Sequence, residues 1–248
     1  ETRRVIALLA TLALSAAAPA GTRPASGWPS VQPADTPLVR LDLDGLKARL
    51  AQDTGGEPPD LSRTDLGGLD LSGVDFKKAN LTGARFENAK MAGANLFACD
   101  LTDAVLTGAD LTRANLDGTV LRRARLQRAN LQGASLFATI IESADLSGAN
   151  LSETRIIGYL RSANLSGATI RNANAGADPG NQSMGVMRAT FVGADLSGAD
   201  FSGTNLFKAD FSHANLSGAK LVGANLDNAE LVQAALTKAD VTGMRLSK

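Results

Sequence analysis

The residues that catalysis usually requires are scarce. The chain of 248 residues contains one His, one Cys, one Tyr and one Trp. His213 has no second His or Cys with which to complete a metal-ligand set or a nucleophile–base pair, and two positions after an apolar centre it points outward. A lone cysteine excludes an internal disulfide and a multi-cysteine metal site, and Cys99 stands where neighbouring segments place Ala. It reads as a small buried apolar residue and not as a reactive thiol. Asp and Asn are plentiful, and paired carboxylates would suit general acid–base work. They recur, however, at one fixed place in a short repeating unit, which marks them as turn and ladder residues. Glycine spacings such as Gly193 and Gly198 are products of the same unit and carry no phosphate-loop meaning. No catalytic, cofactor-binding or metal-binding residue is assigned, and the chain is expected not to be an enzyme.

The unit has five residues. From Ala194 to Leu226 the chain reads ADLSG ADFSG TNLFK ADFSH ANLSG AKLVG ANL. A large apolar centre recurs at every fifth position from Leu61 to Ile156, passing through Leu96, Leu116 and Leu136. It comes one residue early at Leu160, continues through Leu165, Ile170 and Ala175, resumes at Phe191 and runs to Leu246. The residue two before each centre is small, the residue one before is usually Asp or Asn, and the two after favour Ser, Thr and Gly. A helix would carry every fifth residue off any stripe, and a strand would flip successive centres to opposite faces. The chain must therefore turn a corner every five residues, so that centres on adjacent coils stack and backbones pair about 4.8 Å apart.

The pattern A(D/N)LXX resembles the pentapeptide-repeat family over residues 59–248. The resemblance implies an all-β fold, a right-handed quadrilateral β-helix with four corners to a coil of twenty residues. The centres then make nine coils and a rod of roughly 40 Å. The early step predicts a bulge at 157–159, and the turn-rich GADPGNQSMGVMR predicts a projecting loop at 176–188, with Val186 a poor centre within it.

Ahead of the repeats, Arg3 and Arg4 precede the apolar run from Val5 to Ala18 and the small residues of Ala18-Pro19-Ala20. Residues 1–20 read as a secretory signal cleaved after Ala20, the run being too short to span a bilayer, which leaves the mature chain without a transmembrane segment. The alternative is an uncleaved anchor at residues 5–18. The two arginines fit a twin-arginine export motif and equally any positive leader. Residues 21–37 hold Pro24, Pro29, Pro33 and Pro37 and form a flexible linker, with Trp28 either mobile or a docking anchor. Residues 38–58 form an N-terminal cap and hinge, in which Leu43, Leu46 and Leu50 predict a short helix N-capped by Asp42 or Asp44. Its expected role is to cover the first coil.

Function must then lie on the outer walls. Lys and Arg total 25 against 25 Asp and Glu, so no global field selects a partner. Some cytoplasmic members of the family resemble duplex DNA in shape and charge and occupy type II topoisomerases, which needs a strongly acidic rod. Loss of residues 1–20 removes Glu1, Arg3 and Arg4 and leaves a net charge of −1, so gyrase binding by DNA mimicry is the disfavoured alternative, as is a nucleic-acid partner. The favoured reading is a non-catalytic scaffold, periplasmic or otherwise exported, that binds a protein or an envelope component through its faces. Val105, Val120, Phe137, Ile140 and Ile157 replace polar residues and form a candidate apolar patch, or are scattered exposed residues of no consequence. Phe97 and Phe137 interrupt a polar column with Asp117 between them. Arg113, Arg122, Arg123, Arg125 and Arg128 form a candidate basic band, for an acidic partner or for solubility. Leu231, Leu236, Val241 and Leu246 form an uncovered end, predicting an end-to-end homodimer or a chain that has lost its natural terminus.

Overall fold

The structure is a computed structural model and describes residues 38–52, 55–177 and 188–247. The expected signal and linker at 1–37 and most of the expected loop at 176–188, including Val186, lie outside these residues. Among the described residues five elements are regular: β1 (Val39–Arg40), α1 (Leu43–Ala51), β2 (Thr64–Asp65), β3 (Ser135–Ile140) and β4 (Arg155–Tyr159). Between them the chain makes single parallel bridges, each joining the residue before one centre to its counterpart on the next coil.

These bridges form four ladders. One runs through Asp60, Asn80, Asp100, Val120, Ile140, Tyr159, Thr190, Asp210 and Glu230. The others start from Asp65, Asp70 and Asp75 and end at Ala235, Asp240 and Arg245. The chain is thus a β-helix solenoid whose backbone is satisfied from coil to coil: Leu96 N bonds Asn115 O at 2.8 Å, and Ala98 N bonds Asp117 O at 2.9 Å.

The corners explain the repeat. The small residue after each corner donates its amide to the preceding central carbonyl, as in Ala84 to Leu81 at 3.0 Å. The second corner residue has positive φ in glycines such as Gly118 (+67°) and also in Ala98, Arg113, Arg128 and His213 (54° to 62°). A four-residue turn with that bond and positive φ only at its third place is of type II, which is why Gly is frequent there.

Centres fill the axis. Leu61, Leu96, Leu116 and Leu136 are fully buried, and the alanines two before them line the same core. Where Thr replaces Ala its hydroxyl is satisfied: Thr119 Oγ1 donates to Leu96 O at 2.7 Å and Thr139 Oγ1 to Leu116 O at 3.0 Å. Phe191 and Phe211 stack on adjacent coils with centroids 4.9 Å apart, and Phe201 meets both edge-on at 5.9 and 6.0 Å. Cys99 occupies a small inward position, where burial pushes its thiol up to about 12 and keeps it protonated.

Helix α1 begins at Asp42, whose carboxylate accepts from Gly45 N at 2.8 Å, and Asp44 and Arg49 suit its dipole. Leu46 and Leu50 enter the solenoid core, Lys77 Nζ donates to Leu50 O at 2.9 Å, and β1 pairs parallel to β2.

The slip has a specific form. Five residues, Leu136 to Ile140, face four, Ile156 to Tyr159, and Phe137 pairs with Ile157 while Thr139 pairs with Gly158. The unmatched residue is Ala138 on β3, so the bulged strand is β3 and not the 157–159 segment. Dropping one corner residue from β4 keeps Ile156, Ile157 and Gly158 all buried and returns Tyr159 to the outside. At the insert, Ala177 N still bonds Phe207 O at 2.8 Å, and the ladders resume at Thr190.

Asp200 is the one buried carboxylate among the described residues. Partial burial raises its pKa, but donation from Arg171 (2.8 and 2.6 Å) and from Ser202 N and Oγ (3.0 and 2.6 Å) outweighs burial and holds it at about 2. A folded-state value below the unfolded one near 3.9 stabilises above about pH 4 and is lost as pH falls towards 2.

Two predictions follow from the corners and this carboxylate. A Cβ at Gly118 would meet nothing closer than 3.9 Å, whereas one at Gly158 would lie 2.4 Å from Thr139 O. Chemical denaturation should show Gly118→Ala costing about 1 kcal/mol for its φ alone, and Gly158→Ala about 3 kcal/mol or more because backbone must move. Melting curves from pH 7 to pH 2 should show Arg171→Gln less stable than the parent at neutrality and equal to it near pH 2, while Asp200→Asn flattens the acid limb.

Candidate functional site

Each unit turns its centre and its small residue inward, so a surface site can be built only from the residue before the centre and the two at the corner. On most of the wall these are Asp, Asn, Ser, Thr and Gly. One ladder departs from that rule. After Asp100 it carries Val120, Ile140 and Tyr159 in bridge contact on successive coils, before returning to Thr190. Val120 and Ile140 are half-buried and Tyr159 is 53% exposed. The edge leading into this ladder carries Phe97 and Phe137 on either side of Asp117, with Phe97 43% exposed. Val120, Ile140 and Tyr159 thus make an apolar stripe about three coils long, with Phe137 at its margin.

Of the five residues expected in this patch, the structure brings together Val120, Ile140 and Phe137 and removes two. Val105 belongs to a different ladder, between Arg85 and Arg125, and is only 7% exposed. Ile157 is 1% exposed, because the missing corner residue in β4 turns it into the core. Tyr159 was missed. Its signal was present: once the phase is reset at Leu160, Tyr159 takes the outward position before a centre.

The same edge carries a second pattern. Phe97, Phe137 and Phe207 each follow a centre of the Asp75 ladder, and each has a cation over its ring. Lys78 Nζ lies 5.7 Å from the Phe97 centroid, Arg155 Cζ 4.1 Å from that of Phe137, and Lys208 Nζ 5.3 Å from that of Phe207. An open cavity of about 290 Å³ beside Phe97 is lined by Asp75, Lys77, Lys78 and Asn95.

The basic band is only partly available. Arg122 pairs with Glu142 at 3.1 Å and Arg123 with Asp103 at 2.6 Å, each across one coil. Such half-exposed pairs contribute little to stability, yet they occupy the charges. Arg113, Arg125 and Arg128 make no ion pair with another described residue, and they sit at different corners and faces of the coil. At the last described coil, Leu231 is 8% exposed, and Leu236, Val241 and Leu246 are half-buried against the core.

His213 is exposed at a corner, and among the described residues no group of three His, Cys, Asp or Glu side chains could hold a metal ion. No described helix is long and apolar enough to cross a membrane.

Comparison with known proteins agrees with the ladder geometry. A model of pentapeptide repeats matches in 8 copies, over residues 60–96, 99–136, 187–221 and 214–248. HetL, a pentapeptide repeat protein involved in heterocyst differentiation regulation from the cyanobacterium Nostoc sp. strain PCC 7120, is 31% identical over 75% of this chain and 82% of its own, with a TM-score of 0.35. A trypsin-treated form of QnrB1, a plasmid-mediated fluoroquinolone resistance protein, is 17% identical over 74% of this chain and 88% of its own, with a TM-score of 0.51, which is a likeness of fold. A pentapeptide repeat protein from the Arabidopsis thaliana thylakoid lumen is 25% identical over 64% and 69%, with a TM-score of 0.25. No curated protein sequence matches the chain. With its repeats matched over more than half its length and its backbone stacked in four ladders, the chain belongs to the pentapeptide-repeat family.

Proposed function

We propose that this protein is a non-catalytic scaffold that binds a partner protein through the stripe formed by Val120, Ile140 and Tyr159, with Phe137 at its margin. The observation that carries this reading is the break in the ladder. Three consecutive outward positions exchange hydrogen-bonding residues for apolar ones, and the exposed ring of Tyr159 stands at their end. Elsewhere those positions stabilise the coil, as in Asn115 Nδ2 to Asn95 Oδ1 at 3.1 Å. Giving up such bonds to expose apolar surface costs stability and solubility unless the surface is covered in use.

Within this reading the solenoid is right-handed and square in section, and α1 caps its first coil by placing Leu46 and Leu50 over the core. The protein is exported, on the strength of the charged and apolar leader at residues 1–20, to the periplasm or an equivalent compartment. Envelope proteins are then the partner class.

Replacing Val120, Ile140 and Tyr159 together by Asn restores the residue type that other ladders use. The triple variant should melt within about 3 °C of the parent and lose its partners in a cross-linked pull-down from the envelope fraction. Unchanged capture would remove the stripe from the interaction. Fractionation with N-terminal sequencing should place a chain beginning at Gly21 outside the cytoplasm, and a cytoplasmic protein that retains residues 1–20 would contradict export. Inhibition of gyrase supercoiling at low micromolar protein would reverse the functional ranking.

A further inference from the structure

The edge of the solenoid that carries Phe97, Phe137 and Phe207 is a separate binding feature, since Phe97 and Phe207 lie outside the stripe. Every cation over an aromatic ring among the described residues is on this edge. The rings lie along one line parallel to the axis, each with a cation over it. From Phe97 to Phe137 is two coils, about 10 Å, and from Phe137 to Phe207 three coils, about 14 Å.

The acids on this edge are already committed. Asp75 accepts from Lys77 N at 2.9 Å and Asn95 Nδ2 at 3.1 Å. Asp117 accepts from Phe137 N at 2.9 Å and from Ser135 Oγ. Asp227 is held by Arg245 at 2.6 Å and by Ser247 N at 3.0 Å.

The ladder beside the edge is rich in Asn, and its acceptors are used up as well. Asn95 Oδ1 receives both Phe97 N and Asn115 Nδ2, and Asn205 Oδ1 receives both Phe207 N and Asn225 Nδ2. Each of these amides spends one N–H on the coil below and keeps a second for the outside. What the edge offers a ligand is flat apolar rings, amide donors and the ammonium groups of Lys78 and Lys208.

We infer that this edge binds an extended acidic polysaccharide whose charges alternate with neutral sugars. A pyranose ring presents a flat C–H face to a Phe and acceptor oxygens at its rim to the Asn donors, while its carboxylates meet Lys78 and Lys208. The spacing separates this ligand from a nucleic acid. A stacked strand carries one phosphate per 3.4 Å, far denser than Lys78 and Lys208, which lie over rings five coils, about 24 Å, apart. A glycan with one carboxylate per disaccharide carries its charges more sparsely and can place a carboxylate at each lysine. The open cavity between Lys78 and Phe97 is a seat for one sugar unit.

Hyaluronan oligosaccharides, which have one carboxylate per disaccharide, are the probe, titrated against the full chain by calorimetry. Saturable binding below about 1 mM is expected, weakening as salt rises from about 50 to 300 mM. Phe97→Ala/Phe137→Ala/Phe207→Ala should lower the affinity about tenfold or more, with an unchanged melting temperature. Lys78→Gln/Lys208→Gln should remove most of the salt dependence. The triple Asn variant of the stripe should bind hyaluronan as the parent does, which separates this site from the protein-binding face. Absence of saturable binding, equal affinity in the triple Ala variant, or equal or tighter binding of a dT20 oligonucleotide or of neutral chitohexaose would each overturn the inference.

Discussion

A backbone that turns a corner every five residues can satisfy its amides and carbonyls only on the coils above and below, and the rest of this structure depends on that constraint. Most corners are type II turns with a left-handed residue in third place. Each coil then presents four short extended segments to its neighbours, and bonds such as Leu96 N to Asn115 O repeat along the axis. A central Leu has nowhere to go but inward, where its burial contributes about 1.5–3 kcal/mol. Ala or a satisfied Thr beside it follows from the space left over. Stability accumulates from similar local terms along the solenoid and needs no single keystone.

Such a scheme leaves the walls free. Because outward positions are filled by a few polar types wherever only the ladder matters, a departure stands out against them. Val120, Ile140 and Tyr159 form one departure, in which apolar surface takes the place of side-chain bonds. The line of Phe97, Phe137 and Phe207 under Lys78, Arg155 and Lys208 forms another. Both sit around the short coil at β3 and β4, where a dropped residue has re-aimed Tyr159 and buried Ile157. The irregularity therefore shapes the surface more than the core, since Ile156 stays fully buried on the axis.

The columns were legible in the sequence because one period governs both burial and stacking. Leu96, Leu116 and Leu136 could be placed on a common axis without coordinates, and the early step at Leu160 announced an irregular coil. What could not be read was which strand would absorb it. The hydrophobic phase shows that a residue is missing near Ile157, while the unmatched Ala138 belongs to the coil before. The burial of Val105 depended on neighbouring coils twenty positions away in both directions, and Arg122 and Arg123 met partners at that same distance in Glu142 and Asp103. Phe207 could have been found by counting, since it follows a centre of the same ladder as Phe97 and Phe137. The cations over these rings depend on rotamers that spacing does not encode.

A stability scan by proteolysis, substituting Asp at every position from residue 60 to residue 177, measures the inward–outward alternation most directly. Loss of stability should peak at each centre and at the small residue two before it, repeat every five residues, and advance by one between Ile156 and Leu160. Tolerance should extend through Val120, Ile140 and Tyr159. A profile without that period, or one in which Leu96, Leu116 and Leu136 accept Asp while their outward neighbours do not, would contradict a chain whose centres build the rod and whose walls are left for recognition.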